Sequence, residues 1–163
     1  MNDSNLKKNQ HSVYALYYHV VLVVKKRRPV LTDEMCVFLR VLGKRLLEGW
    51  GGELVELNTD RDHLHMLIGL KPSQAPSVYI SVLKTQFSKQ LHKHFGPEIR
   101  LQLKDDAFWT RSYYVATTGG VNLEAVESYI EEQQTEKHKR KYEKTGKYAG
   151  YYKKHYKNRN RPG

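Results

Sequence analysis

The sequence contains a single cysteine, Cys36, and this scarcity excludes several kinds of site. One thiol can form neither an intrachain disulfide nor a four-cysteine zinc site, so a reducing compartment is expected. The longest apolar runs, such as Val20 to Val24, are far too short to cross a bilayer. Residues 1–12 are polar and lack the apolar stretch of a secretory signal. We therefore expect a cytoplasmic protein with no membrane partner.

Acidic residues are fewer than basic ones, but the basic excess is unevenly distributed along the chain. The formal net charge is +11 over 163 residues. Residues 138–163 contain ten Lys and Arg and one acid, a net of +9 that leaves +2 for residues 1–137. A basic tail can hold phosphates without sequence preference, and it does not by itself define an enzyme. We therefore predict one folded domain, residues 1–137, followed by a basic Lys/Tyr-rich tail, residues 138–163.

Apolar periodicity and turn residues predict seven elements in the folded domain. Thr32 is expected to cap the first helix, whose apolar stripe consists of Val37, Val41 and the Leu46–Leu47 pair. Gly96 with Pro97 is expected to end the second helix. The order β-α-β-β-α-β, followed by one more helix, predicts a ferredoxin-like (RRM-like) α+β sandwich with an additional C-terminal helix. The predicted strands are Val13–Val24, Glu53–Thr59, Leu64–Leu70 and Phe108–Thr117. The predicted helices run from Thr32 to about Gly49, from Ser77 to about His94 and from Asn122 to about Lys137.

His63 and His65 flank Leu64 at the start of the third predicted strand. Alternate residues of a strand project to one face, so the two imidazoles point the same way while Leu64 enters the opposite layer. Two neighbouring imidazoles make half of a divalent metal site. On spacing alone, two half-exposed strand histidines without a ligand are the more frequent outcome, because H-x-H is a short pattern.

Tyr129 and Gln133 lie four residues apart on the last predicted helix and so share one face. If Val126 and Ile130 face the core, Tyr129 flanks the apolar stripe and its hydroxyl can reach outwards. The alternative is an aromatic side chain at the edge of the core whose oxygen reaches water. Because the chain contains 12 tyrosines, that alternative is the better interpretation for any one of them considered without further information.

Several basic residues are candidates for contact with a polyanion. The group at the end of the first strand, Lys25, Lys26, Arg27 and Arg28, favours phosphate contact. For Lys84 and Lys89 on the second helix, and for Arg111, a solvated surface explains the charge equally well.

Three motifs in this order resemble a known family. They are Asp62-His63-Leu64-His65-Met66-Leu67, Trp109-Thr110-Arg111-Ser112-Tyr113-Tyr114-Val115 and Tyr129-Ile130-Glu131-Glu132-Gln133. Together, over roughly Tyr14 to Lys137, they are similar to the single-tyrosine HUH transposases (TnpA-like) of small insertion sequences, where HUH denotes two histidines separated by a hydrophobic residue. Asp60 and Arg61 depart from the pattern, because such proteins often have an apolar residue and a proline there.

The resemblance implies a site and a reaction. His63, His65 and Gln133 would bind a divalent metal, Mg²⁺ or Mn²⁺, and Tyr129 would be the nucleophile. The enzyme would cleave and rejoin single-stranded DNA at insertion-sequence ends through a 5′-phosphotyrosine intermediate, and would bind DNA hairpins near those ends. The resemblance also implies a homodimer with joined sheets and active sites shared between subunits, acting at the nucleoid of a prokaryote.

Two other functions remain open at this point. A domesticated HUH endonuclease would cleave repeated palindromes without moving an element. A non-catalytic ferredoxin-like module would bind nucleic acid, form no covalent intermediate and keep its function without the Tyr129 hydroxyl.

Overall fold

The computed structural model describes residues 6–104, 107–120 and 123–133. The predicted cap Asn122 and the basic tail lie outside these ranges, so both remain predictions. A single 3₁₀ turn, Lys25–Arg27, follows the third strand. The strands are β1 (Lys7–Lys8), β2 (Val13–Tyr14), β3 (Tyr17–Val23), β4 (Glu53–Asp60), β5 (His63–Gly69) and β6 (Tyr114–Thr117), and the helices are α1 (Asp33–Gly49), α2 (Pro76–Gln102) and α3 (Leu123–Glu132).

Four strands form one antiparallel sheet in the order β4-β5-β3-β6. With α1 between β3 and β4 and α2 between β5 and β6, this is the ferredoxin-like α+β arrangement, and the predicted fold is confirmed. A small separate hairpin, β1 with β2, precedes it. Among the helices of the described ranges, none is long and apolar enough to cross a membrane.

Alternation along the two central strands gives the sheet two different faces. β3 pairs with β5 without interruption, from Tyr17 opposite Gly69 to Val23 opposite His63. Leu22 and Leu64 are paired and belong to the main core, which also contains the buried side chains of α1 and α2. The residues on either side of Leu64 therefore point to the other face of the sheet.

Helix α1 begins as predicted but buries a different face. Thr32 Oγ1 accepts a hydrogen bond from the Met35 backbone N–H at 3.2 Å, the expected N-cap. Val37 and Val41 are 56% and 65% exposed, so their predicted burial is wrong. The core side of the helix carries Met35, Leu39, Leu42 and Leu47. Leu47 of the predicted stripe is thus buried, whereas its β-branched members lie on the solvent side.

Helix α2 continues past the residues expected to end it. Phe95 leaves the helical conformation (φ −128°, ψ 24°), and the helix resumes to Gln102. Pro97 then stands in the first turn of the second segment, where its missing N–H has no partner to lose.

The first and last strands are shorter in the structure than predicted. The first is divided into β2 and β3, and the last pairs regularly only over Tyr114–Thr117, with one isolated bridge between Val24 and Trp109. Phe108 and Trp109 are buried in the core, because the chain turns inward before β6.

Candidate active site

The two histidines of β5 lie side by side on the face of the sheet opposite the main core. His63 is opposite Val23 and His65 is opposite Val21 on β3. The two rings have centroids 4.6 Å apart and an interplanar angle of 87°. Both side chains are buried, His63 completely and His65 to within 2%. The register thus confirms that both rings share one face, although the rings are not half-exposed.

Asp62 orients the first histidine. Its Oδ1 lies 2.7 Å from His63 Nδ1. With Nδ1–H donating to the carboxylate, the lone pair of the neutral ring is on Nε2, the tautomer that suits a metal ligand. A carboxylate behind a metal-binding histidine is a common arrangement. The sequence contained the signal, since Asp62 directly precedes the H-x-H pattern, but spacing alone gave it no role.

Arg27 completes a buried chain of charged groups behind His63. Its Nε donates to Asp62 Oδ2 at 3.0 Å, and its second guanidinium nitrogen lies 2.7 Å from the same oxygen. Lys26 and Arg27 have φ of 57° and 49°, a left-handed conformation that is rare for residues with a Cβ. Two such residues in succession direct the Arg27 side chain into the protein.

The environment of Arg27 contradicts its predicted contact with phosphate. Its side chain has no exposed surface, whereas Lys26 and Arg28 on either side are exposed. Lys25 is half-buried, and its N–H donates to the Phe108 carbonyl at 2.9 Å. The four basic residues look alike in the sequence. Arg27 differs from the other three because it pairs with the buried carboxylate of Asp62, 35 residues away.

Tyr129 lies on α3 and contacts the chain at the start of β6. Its hydroxyl is 2.9 Å from Ser112 Oγ. Its ring lies 5.9 Å from that of Tyr114, measured between centroids. Tyr114 is opposite Val21, which is opposite His65, so all three side chains share one face of the sheet. α3 therefore covers the same face as the histidines, with Val126 and Ile130 fully buried.

Burial raises the pKa of the Tyr129 hydroxyl above its ordinary value. The hydrogen bonds from Ser112 and Thr110 lower this pKa in part, and the charge of Glu132 raises it further. In this arrangement the hydroxyl is a neutral phenol at physiological pH. It therefore needs help from its surroundings in order to act as a nucleophile.

Lys84 of α2 fastens the loop that carries Ser112. Its ammonium donates to the carbonyls of Thr110 at 2.8 Å and Arg111 at 3.0 Å, and lies 3.5 Å from that of Ser112. Burial lowers the Lys84 pKa. These contacts give Lys84 a structural role that its charge in the sequence did not indicate.

Gln133 follows the last turn of α3 and is half-buried, with its backbone N–H donating to the Ile130 carbonyl at 3.2 Å. Gln133 thus lies one residue beyond the helix that carries Tyr129, whereas both were predicted within it. The contacts of Tyr129 are with the segment leading into β6, whereas the histidines are on β5, and β3 lies between these two strands. Two strand spacings correspond to about 10 Å between backbones.

The donor set at the histidines fits a divalent cation. Two imidazoles are close together, and one has its tautomer fixed by a carboxylate. Within the described ranges, no three His, Cys, Asp or Glu side chains form a metal-binding group. Further ligands would then be amide, water or phosphate oxygens, which Mg²⁺ and Mn²⁺ accept.

An open groove of ≈ 580 Å³ lies between α2 and the segment before β6. Lys89 and Arg111 are exposed in it, and Lys84 borders it. Trp109 also lines the groove, and its buried indole N–H has no hydrogen-bond partner among the residues that the structure describes. Of the predicted DNA contacts, the groove thus brings together Lys84, Lys89 and Arg111, while Lys25 to Arg28 lie at the end of β3.

Comparison with known proteins assigns the chain to a family. Residues 12–133 match the model of the IS200-like transposases. The transposase of insertion element IS200 from Salmonella typhimurium is 29% identical over 123 residues, 76% of this chain and 80% of that protein. The ISDra2 transposase TnpA of Deinococcus radiodurans is 27% identical over 128 residues, 78% of this chain and 91% of that protein.

A solved structure agrees with the fold. The crystal structure of a protein from Deinococcus radiodurans, assigned as a transposase, superposes with a TM-score of 0.70 at 28% identity and covers 79% of this chain and 98% of that one. The class defined by fold and sequence is therefore a transposase with the single-tyrosine HUH pattern. The chain belongs to the IS200-like transposase family.

Proposed function

We propose that the protein cleaves and rejoins single-stranded DNA at the ends of an insertion sequence, with Tyr129 as the nucleophile. The observation that carries the proposal is the common face of the sheet. A pair of buried, adjacent histidines and the hydroxyl-bearing face of α3 lie on the same side, on β5 and against β6. Attack on a phosphodiester requires a nucleophile together with groups that stabilise the charge on phosphate.

The reaction proceeds by exchange of phosphate esters. The Tyr129 oxygen forms a bond to phosphorus and loses its proton, while the bond from phosphorus to the 3′ oxygen breaks. The 3′ oxygen takes a proton and leaves as a hydroxyl, and the 5′ side of the DNA stays on the tyrosine. A second 3′-hydroxyl then attacks the phosphotyrosine and regenerates the phenol. One ester bond replaces another in each step, so no ATP is needed.

His63, His65 and Gln133 are the proposed ligands of Mg²⁺ or Mn²⁺. Bound there, the cation would stabilise the charge on the transferring phosphate and on the leaving oxygen. All three ligands are neutral, so the DNA phosphate would contribute the negative charge that strengthens cation binding. Asp62 holds the His63 ring, and Ser112 holds the hydroxyl of Tyr129.

DNA hairpins near the element ends are the proposed binding partner. The groove beside α2 supports this, since its exposed lysine and arginine can neutralise backbone phosphates. Arg111 in the groove and Ser112 beside Tyr129 are consecutive residues. DNA bound at Arg111 would therefore lie close to Ser112, which contacts the Tyr129 hydroxyl. Lys25, Lys26 and Arg28 are proposed as further phosphate contacts.

A homodimer with joined sheets is the proposed assembly. Among the described strands β6 lies at the edge of the sheet, so the outer side of its backbone could pair with another strand. Tyr129 packs beside this edge, and a second copy joined there would bring another set of histidines near the boundary. Mixing a Tyr129→Phe protomer with a His65→Ala protomer tests this. Restored cleavage in the mixture would mean that one subunit serves the histidines of its partner.

The proposed chemistry is tested with single-stranded hairpin oligonucleotides and Mg²⁺ or Mn²⁺, followed by a denaturing gel. The wild-type protein should form a covalent adduct with the 5′ side of the DNA, and Tyr129→Phe should form none. Tyr79→Phe is the matched control, because this tyrosine packs against Trp50 with ring centroids 5.2 Å apart and belongs to another surface. An adduct that persists in Tyr129→Phe would contradict the assignment.

Rejoining distinguishes a transposase from an endonuclease. A second oligonucleotide with a free 3′-hydroxyl should release the adduct and become joined to the labelled DNA. Cleavage without joining would instead favour a domesticated endonuclease.

A further inference from the structure

We propose that Asp62 and Arg27 are positioning residues that fix His63 in the tautomer and orientation required of a metal ligand. The inference rests on the proposed function, because it concerns the same metal site. Both residues act through His63 and would touch neither the metal nor the DNA.

The contacts of the Asp62 carboxylate leave it little freedom. Oδ1 accepts from His63 Nδ1 at 2.7 Å, while Oδ2 accepts from two nitrogens of Arg27 at 3.0 and 2.7 Å. Rotating the carboxylate would break both sets of contacts together. Since Arg27 can only donate hydrogen bonds, it also requires that the atom facing it be an acceptor. The guanidinium therefore determines which atom of residue 62 faces the histidine.

The backbone builds Arg27 into this position. Lys26 and Arg27 are both left-handed, and the Arg27 N–H donates to the Val24 carbonyl at 2.8 Å. Two further hydrogen bonds join this segment to the chain that enters β5, from Val24 N–H to the Asp62 carbonyl and from Leu31 N–H to the Arg61 carbonyl, each 2.9 Å. A backbone conformation this rare persists where the surrounding structure enforces it, and such sites are often functional.

This arrangement would preorganise the site before a metal binds. With the Nδ1 proton committed to Asp62, Nε2 presents its lone pair without a change of tautomer or ring rotation. Loss of an outer partner of this kind typically weakens metal binding about 10–100-fold. An ion pair that only stabilised the fold would have no effect on the tautomer of a neighbouring imidazole.

The first test is the tautomer of His63 in the full chain, measured from ¹⁵N chemical shifts of histidine-labelled protein without metal. The wild-type protein should show Nδ1 protonated. In Asp62→Asn, Arg27 should retain the amide oxygen, so that the amide NH₂ faces Nδ1 and the proton moves to Nε2. An unchanged Nδ1–H tautomer in Asp62→Asn would overturn the proposal.

The second test is binding of Mn²⁺ alone, followed by paramagnetic broadening of the His63 and His65 ring signals. Asp62→Asn should weaken binding about 10–100-fold. Arg27→Gln should weaken it less, Arg27→Lys should restore part of the loss, and Arg28→Gln is the matched control on the exposed neighbour. Equal affinity in Arg27→Gln and Arg28→Gln would overturn the role of Arg27.

The two proposals fail in different ways. If Mn²⁺ leaves both histidine signals of the wild-type protein unbroadened, the proposed metal site is wrong, whereas the tautomer measurement still decides the role of Asp62. If Mn²⁺ broadens them and Asp62→Asn binds it equally well, the positioning role is wrong and the metal site stands. Should Asp62→Asn fail to fold, the Mn²⁺ affinities of Arg27→Gln and Arg27→Lys still test the proposal, because both variants keep Asp62 and His63 and change only the group that orients the carboxylate.

Discussion

The histidine half and the tyrosine half of the candidate site are held in very different ways. His63 and His65 lie on a central strand, are buried, and have a carboxylate and a buried arginine behind the first ring. Tyr129 lies on a terminal helix, and its hydroxyl contacts the exposed side chain of Ser112. In the histidine half the ring of His63 is therefore held by buried partners, while in the tyrosine half the hydroxyl is held by a contact with an exposed side chain.

This difference would suit the proposed function, in which Tyr129 is the nucleophile and carries DNA. A metal site gains from ligands that do not move, because reorganisation would reduce the affinity for the cation. A tyrosine that becomes joined to the 5′ side of a cut strand and then passes it to another 3′-hydroxyl would benefit from contacts that can be broken. The connection before α3 includes Gly119 and Gly120; among the described residues, a Cβ at Gly119 would meet no atom within 4 Å, whereas one at Gly120 would lie 3.0 Å from Thr117 Oγ1.

The largest expected effect is the loss of a histidine. His65→Ala should lower the rate of adduct formation by about 10³-fold or more, since several kcal/mol of charge stabilisation would be lost with the cation. Hairpin binding should be largely spared. Single-turnover gels give the rate, and gel shifts give the affinity. His94→Ala is the control, because that ring packs on Phe38 in α1, with centroids 4.9 Å apart. Loss of hairpin binding together with cleavage would indicate a structural role for His65.

The next largest effect is expected for the pH dependence of the rate at which Tyr129 forms the adduct. Because burial raises the Tyr129 pKa above its ordinary value of about 10, the phenolate fraction should rise about tenfold per pH unit throughout the neutral range. If chemistry limits the rate, adduct formation between pH 6.5 and 9 should follow that slope. The sign is clear, since the neutral phenol dominates below its pKa and ionisation increases with pH. A plateau near neutrality would show that bound DNA and cation lower this pKa.

Loosening the loop under Tyr129 should have a smaller effect. Lys84→Met removes the ammonium that holds the carbonyls of Thr110 and Arg111, so the adduct should form about tenfold more slowly with little change in DNA affinity. Lys89→Met is the matched control on the same helix and should instead weaken DNA binding in a salt-dependent way. If the two variants behaved alike, the contacts of Lys84 with the loop would have no role in catalysis.

The smallest effect is expected for Ser112→Ala. Removing one hydrogen bond to the Tyr129 hydroxyl should slow adduct formation only a few-fold, because the loss of a single such contact typically costs about 1 kcal/mol. Comparison of the single-turnover rates of Ser112→Ala and Asp62→Asn then measures how rigidly each half is held. A larger loss for Ser112→Ala would reverse the comparison between the two halves.

Sequence patterns predicted the parts of the molecule that depend on local periodicity. The order of the elements, the Thr32 cap and the common face of His63 and His65 all follow from neighbours within a few residues. The buried face of α1 was not predicted, because apolar residues on both sides of the helix gave two acceptable stripes and only the packed layers select one.

The roles of two basic residues depend on partners that are distant in sequence. Arg27 meets a carboxylate 35 residues away, and Lys84 meets carbonyls 26 to 28 residues away. No local pattern separates a lysine that faces phosphate from one that faces a backbone carbonyl. Only the tertiary fold buries Arg27 against Asp62 and brings the partly buried Lys84 to the loop before β6.

The two neighbours of β5 differ in how they would tolerate a change in chain length. Its pairing with β3 is unbroken over seven positions, whereas its pairing with β4 contains a bulge between Leu54 and Glu56. A strand that already accommodates one unmatched residue can take up another by shifting the bulge. One residue inserted between His63 and His65 would place the two rings on opposite faces of the sheet. Natural insertions and deletions in this fold should therefore collect in β4 and its turns, while the chain length through β3 and the start of β5 stays fixed.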